Sequence, residues 1–115
     1  MSTARRLLQT NLQISQGNAV TNPVQVPNGS TNLTVQILYS GLDADVTLTL
    51  QQSLDGGNFD TCVNENDEPV TIILDKDFTS MSINISDLLT SWIKFSLNVG
   101  DATAGLLDKI YILMN

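Results

Sequence analysis

The chain has 115 residues with a hydrophobic fraction of 42% and a charged fraction of only 15%, which suits one domain whose polar surface comes mainly from Asn, Gln, Ser and Thr. Twelve acidic against five basic residues give a net charge of −7, which disfavours nucleic acid and anionic lipid as partners. The lone Cys62 excludes an intrachain disulfide, and no stretch approaches the length of a membrane span.

Residues 1–28 are dominated by Gln, Asn, Thr and Ser and interrupted by Pro23 and Pro27. Leu12, Ile14, Val20, Val24 and Val26 alternate weakly, which predicts an extended N-terminal arm with one or two edge strands, where proline is tolerated. One helical turn is expected over Thr3 to Leu8. An arm this polar cannot supply its own core, and it suits strand addition to a neighbouring copy or to a shell protein. Arg5 and Arg6, the only basic pair, together with Leu12 and Ile14, are the residues expected to meet that partner.

Residues 29–115 carry the main pattern, an alternation of period two. Leu33, Val35, Ile37 and Tyr39 alternate with polar or smaller neighbours, and the pattern resumes at Val46, Leu48 and Leu50 after the turn at Ser40–Asp45. These two strands are expected to form an antiparallel hairpin. Ser53-Leu54-Asp55-Gly56-Gly57-Asn58 is a strong turn signal, because Asp-Gly and Gly-Asn tolerate positive φ. A short strand from Phe59 to Val63 follows, then an exposed acidic loop through Glu65, Asp67 and Glu68 to Pro69. Val70, Ile72 and Leu74 form the next strand, Met81, Ile83 and Ile85 another, and Asp87 to Ser91 one helical turn. Ile93, Phe95, Leu97 and Val99 alternate again, and Leu107 to Met114 close the chain with Ile110, Ile112 and Met114 on one face. The expectation is an all-β, antiparallel β-sandwich, jelly-roll or Ig-like, of about six to eight strands behind an N-terminal arm.

Chemistry is scarce in this sequence. Without histidine it lacks the usual general base and the usual zinc ligand, and one cysteine makes no thiolate cluster. No glycine-rich phosphate loop occurs. No catalytic residue, cofactor or metal is expected, and the protein is read as a non-enzyme. Asp55, Asn58, Asp60, Glu65, Asp67 and Glu68 have the oxygen ligands calcium takes, but their spacing fits no calcium loop, and Asp in such turns usually bonds its own backbone. Trp92 stands opposite Phe95 on the pleat, where it would be either a stacking surface for a sugar or a rim residue covering the sheet.

The stretch Ile37-Leu38-Tyr39-Ser40-Gly41, followed by Val46-Thr47-Leu48-Thr49-Leu50-Gln51-Gln52-Ser53-Leu54-Asp55-Gly56-Gly57-Asn58-Phe59, resembles a β-sandwich module recurrent in virion proteins of tailed bacteriophages. Ser91 to Leu97 and Leu107 to Met114 resemble its closing pair of strands, so the likeness runs from about residue 30 to 115. Phe59 departs from the pattern, which more often has Trp there. The resemblance implies a structural protein, an auxiliary or decoration protein of a phage capsid. It would be made in the host cytoplasm and carried in the virion, docked on the major capsid protein or other virion proteins and self-associating in the particle. The alternative is a carbohydrate-binding or adhesion module of a phage tail or fibre.

Overall fold

A computed structural model describes residues 5–115 of the chain. Ten strands run in the order β1 (Arg6–Gln13), β2 (Ala19–Val20), β3 (Val24–Gln25), β4 (Leu33–Ser40), β5 (Val46–Ser53), β6 (Asp60–Thr61), β7 (Thr71–Leu74), β8 (Ser80–Ile85), β9 (Trp92–Asn98) and β10 (Leu106–Met114). Among the described residues there is no α-helix; a 3-10 turn at Ile14–Gln16 follows β1.

One sheet has the order β1-β10-β4-β8; the other runs through β2-β9-β5-β6, with β3 also on β9 and β7 also on β5. All pairings are antiparallel. Counting β2–β3 and β6–β7 as one interrupted limb each leaves eight limbs, and the chain is then a long hairpin rolled on itself. The first limb pairs with the eighth, the second with the seventh, the third with the sixth and the fourth with the fifth. That order decides between the two expected topologies in favour of the jelly roll.

Alternation builds the core as the sequence predicts. Leu33, Val35, Ile37 and Tyr39 of β4, Val46, Leu48 and Leu50 of β5, Ile93, Phe95 and Leu97 of β9, and Ile110, Ile112 and Met114 of β10 are all buried. Met81, Ile83 and Ile85 of the edge strand β8 are only half-buried against them. The β4–β5 hairpin, however, does not form: those strands lie in different sheets, and the 41–45 segment crosses between them. The alternation is the same for a strand that turns back on its neighbour and for one that crosses the sandwich.

The N-terminal segment supplies edge strands, as the sequence predicts, but they are added to the chain's own sheets rather than offered to a neighbour. Residues from Arg6 onward form β1, which pairs with β10 of the same domain from Arg6↔Ile112 to Gln13↔Leu106, with a bulge at Leu8. The helical turn expected at Thr3 to Leu8 is replaced by this strand from Arg6; its first residues lie outside the described ones. β2 and β3 are then held on β9 around a kink, where the buried Thr21 accepts from the Phe95 amide through its hydroxyl (2.9 Å) and donates its own amide to the Phe95 carbonyl (2.9 Å). Asp87 to Ser91 is not helical either. Asp87 has φ of 58°, a left-handed conformation that no right-handed helical turn contains.

Candidate functional site

The roll gathers its connections at two ends. At one end meet residues 14–18, 41–45, 75–79 and 99–105. Asp43 there accepts hydrogen bonds from the amides of Thr103 (2.9 Å) and Ala104 (3.1 Å) and from the Thr103 hydroxyl. Those bonds, the Thr103 hydroxyl first, pull its carboxyl from the ordinary 3.8 down to about 2. Asp45 accepts from the Lys76 amide (2.9 Å), Asn18 from the Val99 amide (3.0 Å), and the Ile14 amide donates to the Gly105 carbonyl (3.0 Å). Gly105 has φ of 135°, and a Cβ there would stand 2.5 Å from Leu42 Cδ2. The Tyr39 hydroxyl donates to the Asp75 carbonyl (2.9 Å), and burial raises its pKa, with Asp75 and Asp45 adding to the shift. This end is closed.

The opposite end carries the 26–32, 54–59 and 86–91 connections. Asp55 organises the turn the sequence singled out. Its carboxylate accepts from the Asn58 amide (2.9 Å), the Asn58 side-chain amide (2.8 Å), the Gly57 amide (2.9 Å) and the Ser53 hydroxyl (2.8 Å), which holds its pKa well below the carboxylate range. Both of its oxygens are thus engaged within the turn itself. Among the described residues no three carboxylate or thiol groups gather as a metal site would require.

The same turn settles the position of Trp92. Gly56, at φ of 79°, lies so close to the indole that a Cβ on it would be 2.9 Å from Cε2, and Lys94 sits 4.5 Å above the Phe59 ring next door. The chain's own turn packs against the indole, and Trp92 as a whole is half-buried, which favours the rim role over the stacking role. Phe59, where the module more often has Trp, is half-buried beneath Lys94.

Segment 86–91 is the hub of this end. The Leu88 amide donates to the Thr31 carbonyl (2.7 Å), the Val26 amide to Ser91 (2.8 Å), and the Thr90 hydroxyl to Ser53 (2.9 Å). Leu88 is buried, but Leu89 and Leu54 remain 78% exposed. Three clefts of about 650, 380 and 390 Å³ open around Leu89. The largest runs along the open flank of the sandwich, between the end of β8 and an arch at 62–70 that interrupts the β6–β7 limb. The arch closes through the Val63–Pro69 bridge and carries exposed Glu65, Asp67 and Glu68. Cys62 at its base is buried, and burial pushes its thiol pKa up, as fits an inert apolar side chain.

The four residues expected to bind a partner are not brought into one surface patch. Arg5 stacks its guanidinium 4.7 Å over the Tyr111 ring of its own domain, and Arg6 is exposed at the start of β1. Leu12 is half-buried against the core, and Ile14 is 1% exposed within it. Ile14 is therefore occupied by its own domain. The flank beside β8 was not visible in the sequence, because it is made by two limbs far apart in the chain.

No protein-family model and no curated protein matches the chain by sequence. Its fold does match solved structures. The SPBc2 prophage-derived protein YomS superposes with a TM-score of 0.63 at 8% identity, covering 98% of this chain and 92% of that one. PirA superposes with a TM-score of 0.51 at 10% identity over 98% of this chain and 93% of its own. The carbohydrate-binding module TmCBM61, solved with β-1,4-galactotriose, gives 0.48 at 16% identity over 91% of this chain and 69% of that one. At such identities the likeness is one of fold.

Proposed function

We propose that the protein is a structural component of a bacteriophage particle, an auxiliary or decoration protein of the capsid held by protein–protein contacts and free of catalytic activity. The observation that carries this reading is the correspondence with a prophage-derived protein along nearly the full length of both chains. The motif from Ile37 to Phe59 supports it independently. Trp92 lends the carbohydrate-binding alternative little support, since it is half-buried with its ring packed by Gly56, a poorer platform for a sugar than a fully exposed ring. The partners in this reading are the major capsid or other virion proteins, together with further copies of the chain, and the protein resides in the virion after synthesis in the host cytoplasm. Purifying particles that carry a tagged copy tests it. A fixed copy number per particle after density-gradient separation is the expected result. Particles devoid of the protein, with selective glycan-array binding by the free protein, would transfer it to the tail or fibre adhesion class.

A further inference from the structure

We infer that the flank between β8 and the 62–70 arch is a docking groove for an extended, basic peptide segment of another protein, added to β8 as a fifth strand of the first sheet. The inference rests on the reading of the protein as one that works through protein contacts, and it names the surface and the chemistry of the partner.

The backbone supplies the first argument. β8 is an edge strand, paired only with β4. The Tyr39 amide donates to the Thr79 carbonyl (2.9 Å), and the antiparallel ladder alternates from there. Residues 81, 83 and 85 therefore face β4 with their amides and carbonyls, while Ser80, Ser82 and Asn84 direct theirs outward. Natural edges are usually blunted by lysine, proline, a bulge or a cover. Ser80–Ile85 has no charge, no proline and a regular register with β4.

Side chains supply the second argument. Ile83, Ile85 and Leu88 give the groove an apolar lining beside the outward edge, and its volume of about 650 Å³ has room for side chains of an added strand. Glu65 and Asp87 stand among its lining residues, Asp67 and Glu68 are exposed on the same arch, and no Lys or Arg lines it. The field in the groove is negative, so a partner with Lys or Arg is favoured over a neutral or acidic one. A second copy of this chain fits poorly. Antiparallel β8–β8 pairing centred on Ser82 would bring Asp87 of each copy beside Asp77 of the other, between two chains of charge −7.

The test is selection of short random peptides displayed in a library against the full chain, with counter-selection on Asn84→Pro. Proline at 84 removes an outward amide while leaving the inward ladder to β4 intact, at the cost of one exposed bond from the Thr34 hydroxyl (2.8 Å). Ser82→Pro replaces it if that variant does not fold. Winners are expected to carry basic residues flanking β-branched ones, and to slow hydrogen exchange at the Ser82 and Asn84 amides. Their affinity should fall at least about tenfold on either proline variant, and several-fold on Glu65→Lys. An empty selection, winners without basic residues, winners that bind both proline variants as well as the parent, or oligosaccharide protecting the same amides in place of peptide would each overturn the inference. Particle incorporation of the parent is scored separately, so an empty selection with normal incorporation removes the groove and leaves the structural reading standing.

Discussion

Where residues 14–18, 41–45, 75–79 and 99–105 meet, each connection is tied to another by bonds that include specific side chains, Asn18, Asp43 and Asp45 among them. At the opposite end the 26–32 and 86–91 segments are joined mainly through backbone amides, and Leu54 and Leu89 are left in solvent. The difference separates two ways of finishing a sandwich. An acceptor side chain spent on capping a neighbouring loop is unavailable to a ligand, and substituting it undoes the loop. A loop held by its backbone keeps its side chains free, so that end can change its surface without changing its path.

Removing the first limb together with the first half of the second should erase both ends at once. Deleting residues 1–22 takes away β1, the buried Ile14 and Thr21, and β2, and leaves β10 as a new edge. Loss of the cooperative melting transition is expected; a truncated chain that melts like the parent would mean that β1 contributes nothing to the sheet. The next effect separates the ends. Gly105→Ala meets the Leu42 backbone as well as its side chain at a φ few L-residues adopt, and should cost roughly 2–3 kcal/mol in a denaturant titration. Gly56→Ala meets only the indole and should cost about 1 kcal/mol, with a shift in the emission of Trp92, the single tryptophan. Equal losses would mean that the two ends are equally tight.

Acid should weaken both ends in one window. Asp43 and Asp55 have carboxyls more acidic when folded than when unfolded, so their contribution is complete above the unfolded value near 3.8 and is lost as pH falls through the folded value, about 2 for Asp43. Asp43→Asn is expected to lower the melting temperature at neutral pH and to flatten its decline between pH 4 and 2; an unchanged slope would remove Asp43 from the account of acid stability. The smallest effect belongs to the exposed hub. Leu89→Ser should change stability by no more than about 0.5 kcal/mol, and a larger loss would show that Leu89 packs more than its exposure indicates.

Much of this fold is legible in the sequence for a physical reason. A half-buried strand must place apolar side chains at every second position, so β4, β5, β9 and β10 are written in the alternation of Val35, Leu48, Phe95 and Ile112, and the Asp55 turn is written in its glycines. The path between strands is not written there. Gly41 and Asp43 signal a turn, but a hairpin and a crossover ask the same of those residues. The N-terminal limb is hidden because its edge strand has one neighbour and a bulge, which leaves only Leu8 and Ile14 buried between Arg6 and Gln16. The flank beside β8 is the least legible, since it brings Glu65 and Asp87 together from opposite sheets.

The rolled hairpin has a consequence for how the chain comes into being. Synthesis delivers β1 first and β10 last, yet each is the other's partner, so the nascent chain cannot complete its first sheet until Met114 has left the ribosome. Most of its pairings join segments distant in sequence, and topologies of that kind fold slowly because loop closure is paid for before contacts repay it. During that interval the apolar faces of β4 and β5 are exposed with their partners β9 and β10 still unmade. A net charge of −7 disfavours contact between unfinished chains during that interval, before β9 and β10 are in place.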